Sequence, residues 1–255
     1  MSLCCDPSLA DHLPGRTQKV RVITEAWFRG FGYCLSCQSN VLEPTKTNSH
    51  ARDFTCPICG SPYELKSSIK PSGLRVVDGS LRAMMARIEA DEAPNLILLH
   101  YRLDWSIQDV TALHSVFLTA EVVEARKPLS ASARRAGWQG CNLRLDRIPA
   151  DGRISLVSEG VVSSPSEVRR LYIQSARLKQ IKREKRGWAA LTLDAVRKVG
   201  RVEFQLSEIY AFEETMSEAF PNNLHIREKL RQQLQVLRDL GYLEFLGDGA
   251  YRVIA

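Results

Sequence analysis

The sequence predicts an α/β N-terminal domain with a four-cysteine metal site embedded in it, followed by a smaller, mainly helical domain that ends in a β-hairpin. Three observations carry that expectation. Helical and strand-length apolar patterns alternate through the first part of the chain. Two Cys-x2-Cys pairs stand eighteen residues apart within that alternation, and three helical patterns precede a Gly-Asp-Gly turn near the C-terminus. The boundary is placed in the basic run ARLKQIKREKR (176–186), giving domains 1–182 and 183–255, with a new apolar pattern starting at Gly187.

In chain order, residues 17–31 (TQKVRVITEAWFRGF) place Val20, Ile23, Trp27 and Phe31 on one face of an amphipathic helix, with Glu25 on its solvated side. Ala51 to Thr55 reads as a short strand, CPICGSP as a knuckle and turn, and YELKSS as the returning strand. Asp53 and Glu64 then lie on neighbouring strands of one hairpin. Because side chains alternate along a strand, Glu64 and Lys66 share a face while Leu65 points into the core. SLRAMMARIEAD (80–91) gathers Leu81, Met84, Met85 and Ile88 on one side of a helix, a core stripe. NLILLHY (95–101) is a continuous apolar strand of a sheet covered on both faces, with His100 at its end, which reads as structural but could also face an active site; VFLTAEVV and RISLV supply further strands. In the C-terminal part WAALTLDAVRKV, LSEIYAFEETMSEAF and residues 225–240 read as helices, and YLEFL and AYRVI flank Gly247-Asp248-Gly249. Three helices followed by a hairpin is the winged-helix order.

Composition bounds the function. The chain has 255 residues, 44% of them hydrophobic, a net charge of +6 and a pI near 9.0. That is enough to build cores, and the charge favours a polyanionic partner, since neutralised phosphates release counterions. No apolar run approaches the roughly 20 residues needed to span a bilayer, and MSLCCDPSLADHLPGR lacks the order of a secretory leader. The expectation is a soluble protein of the cytoplasm.

Of the seven cysteines, Cys34, Cys37, Cys56 and Cys59 form C-x2-C-x18-C-x2-C, a spacing suited to tetrahedral thiolate binding of Zn2+ rather than to disulfides in a reducing compartment. Cys4 and Cys5 read as part of a disordered start, and Cys141 as a small buried hydrophobe. Around the zinc pattern lie Asp53, Glu64 and Lys66. Two carboxylates hold Mg2+, which polarises a phosphodiester and activates water, while an ammonium steadies developing charge. Taken alone, D-x10-E-x-K also fits a surface salt bridge.

Two stretches suit DNA contact. Residues 126–138 read as a polar loop carrying Arg126, Lys127, Arg134, Arg135 and Trp138, cations for phosphates and guanine edges and an aromatic for apolar contact; Trp138 as a core anchor is an equal alternative. On the third C-terminal helix Ile226, Leu230, Leu234, Leu237 and Leu240 form the buried stripe. That leaves His225, Glu228, Lys229, Arg231, Gln232 and Gln235 outward, the face that enters a major groove if this is the recognition helix.

From about residue 17 onward the chain resembles the DpnI restriction endonuclease family. The resemblance rests on the interleaved YC..C, ARDFTC..C and YELKS segments, on RKPLSASARRAGWQGCN (126–142), GRISLV (152–157) and HIREKLRQQLQVLRDLGYLEF (225–245). It implies a restriction-endonuclease-like PD-(D/E)xK catalytic domain with an embedded Cys4 zinc site and a winged-helix domain. It places catalysis on Asp53, Glu64 and Lys66, Mg2+ on Asp53 and Glu64, and Zn2+ on Cys34, Cys37, Cys56 and Cys59. Arg52 stands where the superfamily pattern has proline. The implied activity is a type IIM, methyl-directed deoxyribonuclease acting on double-stranded DNA at GATC with N6-methyladenine, a prokaryotic, cytoplasmic monomer needing no protein partner. It implies that the 126–138 region helps the nuclease domain sense methylated adenine; the DNA-contact candidates from the loop and helix face are Arg126, Arg134, Arg135, Trp138, His225, Lys229, Arg231 and Gln232. Burying one methyl is worth only about 0.8 kcal/mol, so a clean switch needs both domains to read the same site. Two alternatives remain: a non-catalytic zinc and winged-helix regulator, and a PD-(D/E)xK nuclease of different specificity, such as one acting on repair intermediates.

Overall fold

Apolar residues spaced three and four apart drive the first helix, α1 (Arg16–Phe31), which buries Ile23, Thr24, Trp27 and Phe28. The structure, a computed structural model, describes residues 2–45 and 52–254. After α1 come β1 (Glu43–Pro44), β2 (Phe54–Thr55), β3 (Pro62–Ser68), β4 (Arg75–Ser80), α2 (Leu81–Glu89), β5 (Asn95–Tyr101) and β6 (Ile107–Leu113). Next are β7 (Val123–Ala125), β8 (Gly140–Arg144), β9 (Arg153–Ser158), β10 (Val161–Val162) and α3 (Pro165–Ser175). The C-terminal part contains α4 (Arg183–Val199), β11 (Glu203–Gln205), α5 (Leu206–Tyr210), α6 (Glu213–Ala219), α7 (Ile226–Asp239), β12 (Leu243–Gly247) and β13 (Ala250–Val253). The expected class, an α/β core followed by a mostly helical segment, is the observed one. The chain folds into two compact units that interleave in sequence.

The first unit comprises Met1–Leu74, Glu92–Ser115 and Gly152–Ile173. Its seven-stranded sheet runs β1-β2-β3-β5-β6-β9-β10, with β3 and β5 parallel and every other neighbouring pair antiparallel. Tyr63, Ile97, Leu99 and Tyr101 face Ile23, Trp27 and Phe28 in one buried cluster, and Leu65 packs against it as expected. Phe28 meets Phe54 edge-on at 5.3 Å. The start of the chain is ordered, contrary to expectation. Trp27 Nε1 donates to Ser2 O at 3.0 Å, Cys5 N donates to Trp105 O at 3.0 Å, and Cys5 is buried. Ala51, where the first strand of the hairpin was expected to begin, lies outside the described residues.

The second unit comprises Arg75–Asp91, Val116–Asp151 and Gln174–Ala255. One three-stranded sheet, β4-β8-β7, is held by Glu124, whose carboxylate accepts from Arg75 Nε at 2.8 Å and from Asn142 Nδ2 at 3.1 Å. Arg75 and then Asn142 lower the Glu124 carboxyl to about 2 from an ordinary 4.5. Its folded-state value lies below the unfolded one, so this contact adds stability above pH 4.5 and loses it as pH falls toward 2. Glu124→Gln is therefore expected to melt below the wild type at pH 6, with the gap closing between pH 4.5 and 2, read by thermal unfolding across pH.

In the same unit α7 buries Ile226, Leu230, Leu234, Leu237 and Leu240, the expected stripe. The expected hairpin is present as β12 and β13, and β11 adds a third strand beside β13. Three differences have local causes. VFLTAEVV forms two 3-10 turns before β7, because Val116, Phe117 and Leu118 are buried consecutively and do not alternate. The single helix expected over LSEIYAFEETMSEAF is broken at Ala211 and Phe212, whose N–H groups bond the carbonyls of Glu208 and Ile209. The basic run forms a 3-10 turn, Ala176–Gln180, and the start of α4 at Arg183, four residues ahead of Gly187 where the new apolar pattern was placed.

Candidate metal centre and catalytic cluster

Each Cys-x2-Cys pair offers two sulfurs from one tight turn. The Sγ atoms of Cys34, Cys37, Cys56 and Cys59 all lie within 4.8 Å of one another, and the thiols form no disulfide. The contacts cross between the pairs, Cys34 with Cys59 at 3.5 Å and Cys37 with Cys56 at 3.6 Å. A tetrahedron of sulfurs about 2.3 Å from zinc has edges of roughly 3.8 Å, so the quartet fits Zn2+ with little movement. Gly60 closes the second knuckle with φ 72°, where a side chain would be strained, and its N–H bonds Cys56 O at 3.0 Å. Burial pushes the Cys34 thiol up to about 12. Burial also opposes ionisation of Cys56, but the N–H groups of Cys59 and Ile58 outweigh it and bring that thiol to about 6.

Two groups outside the motif hold the centre. Tyr63 Oη accepts from Leu35 N at 2.9 Å and touches Cys34 Sγ at 3.4 Å. Arg169, on α3, donates to Cys34 O at 2.9 Å, Ser39 O at 2.8 Å and Asn40 Oδ1 at 3.0 Å, with its guanidinium 5.1 Å from the Tyr33 ring centre. Helix α3 was not anticipated, although Ser164-Pro165-Ser166-Glu167 is a cap signal: Ser164 Oγ accepts from Glu167 N at 3.3 Å and proline takes the first turn. Arg169→Ala orphans buried carbonyls around the first knuckle and is expected to cost about 2–4 kcal/mol. A chelator competition titration is expected to show weaker zinc retention in the variant.

The second knuckle forms the turn of the acidic hairpin, between Asp53 and Glu64. Asp53 immediately precedes β2, whose Phe54 pairs with Tyr63 of β3, the residue before Glu64. Its N–H donates to Tyr63 O at 2.9 Å and its Oδ2 accepts from Leu65 N at 2.8 Å, which turns the carboxylate onto β3. Lys66 Nζ donates to Glu64 Oε1 at 2.5 Å, with Glu64 nearly buried and Lys66 only 23% exposed. The structure thus brings Asp53, Glu64 and Lys66 together. Ser67, on the opposite face of β3, bonds Thr24 Oγ1 of α1 at 2.8 Å and fixes the strand's roll. Two hard carboxylates suit Mg2+ and not a soft-ligand metal. Sequence reasoning missed Arg21, which bonds Glu25 at 2.6 Å and lies 3.8 Å from Asp53 Oδ1. The i,i+4 pair on the polar face of α1 was the available signal.

The expected DNA-reading residues fall on two segments of the second unit. Arg126, Arg134 and Arg135 are exposed in the β7–β8 loop. Trp138 is half-buried, packed over Gly140, where a Cβ would come within 3.0 Å of the indole, and under Arg135 at 4.9 Å. His225, Lys229 and Gln232 line an open concavity of about 570 Å³ at the start of α7, beside Leu224. Arg231 is exposed and does not line it. Lys229 Nζ donates to Gln232 Oε1 at 2.8 Å.

Among the described residues no helix is long and apolar enough to cross a membrane. Comparison with family models finds two matches. One, described as DpnI, the Dam-replacing family, covers residues 1–181, and one described as the Dam-replacing HTH domain covers residues 184–253.

Proposed function

The chain belongs to the DpnI (Dam-replacing) family, and from that premise we propose that it is a Mg2+-dependent restriction endonuclease cutting double-stranded DNA at GATC sites carrying N6-methyladenine. The observation that carries the catalytic part is the convergence of Asp53, Glu64 and Lys66 at one end of the β2–β3 pair, each fixed by the backbone or by another member. Asp53 and Glu64 would hold Mg2+, which when bound supplies Lewis-acid polarisation of the phosphate and an activated water. Lys66, paired with Glu64, holds an ammonium on the same strand face as that carboxylate, where it would face charge developing on a bound phosphate. Cys34, Cys37, Cys56 and Cys59 would hold Zn2+ as a structural ion that ties the two knuckles together, with all four thiolates as its ligands.

Specificity is assigned to the C-terminal part, residues 183–255, with the β7–β8 loop assisting from the catalytic part, residues 1–182. His225 caps α7, and Lys229, Arg231 and Gln232 follow within its first half, the part of a recognition helix that meets base edges. Arg126, Arg134, Arg135 and Trp138 supply phosphate and apolar contacts. A type IIM monomer of the prokaryotic cytoplasm, protecting a cell that lacks the matching adenine methylase, is the setting that fits. The test uses one plasmid, methylated or not at GATC adenines, with Mg2+ or EDTA. Cutting only of methylated plasmid with Mg2+ supports the proposal. Binding without cutting would make the protein a regulator, and methylation-blind cutting a nuclease of other specificity.

A further inference from the structure

The sheet face that carries Glu64 and Lys66 continues onto β5 and β6. Parallel pairing sets Lys66 beside Leu98 and Ser68 beside His100, and antiparallel pairing sets His100 beside Asp109. Side chains at paired positions point to the same side, so Glu64, Lys66, Ser68, His100 and Asp109 share one face, opposite the buried cluster of Ile97, Leu99 and Tyr101. His100 Cα lies one strand across and two residues along from Lys66, about 8 Å away by ordinary sheet spacing.

His100 is held in a way that a core histidine does not need. Its Nδ1 bonds Asp109 Oδ2 at 2.8 Å, and Asp109 Oδ1 accepts from Glu159 N at 3.0 Å, so both carboxylate oxygens are engaged and the ring orientation is set. The pair is not sealed in: His100 is 17% exposed and Asp109 40%. Immediately past it the pairing shifts by one residue between His100 and Tyr101, a bulge of the kind that re-aims side chains beside functional sites. An imidazole pinned at Nδ1 by a carboxylate presents Nε2 as a donor once protonated, and the charged groups sharing its face are Glu64 and Lys66 from β3 and Asp109 from β6.

We propose that His100, oriented by Asp109, is a DNA-binding residue that grips the phosphate neighbouring the scissile one and so sets the strand's register over Asp53, Glu64 and Lys66. The proposal rests on the nuclease reading above. In cleavage of methylated duplex at pH 6, His100→Ala is expected to raise KM about tenfold, with kcat within about twofold. The slope of log KM against log salt should fall by about 1, because one phosphate fewer is neutralised on binding. His100→Gln, which keeps a donor, is expected to recover part of the KM but not the slope. KM and slope equal to the wild type in both variants would overturn the proposal, as would losses in kcat alone. Should His100→Ala fail to fold, the wild-type protein decides. Its imidazole signals, with His100 assigned from the Gln variant, are followed by NMR as duplex is added in EDTA, and an unmoved His100 signal would refute the contact. Absence of wild-type cleavage alongside a shifted His100 signal would sink the nuclease reading alone.

Discussion

Lys66→Ala is expected to lower the rate of DNA cleavage by about 10²–10³-fold while duplex binding stays within about threefold of wild type. The reason is geometric. The ammonium sits 2.5 Å from Glu64 Oε1 on a strand whose roll is fixed on both sides, by the Asp53 carboxylate on Leu65 N and by Ser67 on Thr24. The residues assigned to DNA reading lie on other segments, the β7–β8 loop and α7, so the loss falls on turnover. Lys66→Arg is expected to restore little, because a planar fork does not replace a compact point charge. Plasmid nicking rates paired with filter binding measure both quantities, and a variant that cuts at wild-type speed would remove Lys66 from the mechanism.

Zinc removal is the second large effect. The knuckles meet through Sγ contacts of 3.5 and 3.6 Å, through Ser61 Oγ on Ser36 Oγ at 3.0 Å and through Tyr63 on Leu35 N, with no disulfide to keep them together once the ion is gone. Folding free energy in such centres is largely metal-binding free energy. Stripping the ion, or Cys56→Ser, is therefore expected to destabilise the fold by at least about 4 kcal/mol, roughly 10 °C in melting temperature. Activity should disappear with it although zinc takes no part in the chemistry, since Asp53 and Glu64 flank the second knuckle. Mg2+ added to the stripped protein is expected to restore nothing, and Zn2+ followed by Mg2+ to restore cutting. Metal analysis should give one zinc per chain, and a stripped protein that melts and cuts normally would refute the structural role.

What was legible in the sequence was local. Four cysteines at two fixed spacings announce their own cluster, strand alternation places Glu64 and Lys66 on one face, and a 3.6-residue stripe identifies the buried side of α7. What was hidden depends on chain distance. Arg169 contacts the first knuckle across 135 residues, and no short window relates the two. Asp109 gives His100 a partner only after β5 and β6 pair, so the same histidine read from its strand alone looked structural. VFLTAEVV failed because continuous apolar runs carry no period, and burial on all sides is compatible with turns as well as strands. Interleaving of the two units was equally invisible, since each crossing is a tertiary decision taken after the elements exist.

The guanidinium over the first knuckle also orders events during synthesis. Arg169 leaves the ribosome 135 residues after Cys34, a delay of roughly 7–27 s at about 5–20 residues per second. Once Cys59 has followed, 25 residues after Cys34, all four thiols are outside while the helix carrying Arg169 is still being translated. Metal can therefore load on the nascent chain, and the first knuckle's carbonyls gain their clamp only when the helix carrying Arg169 arrives.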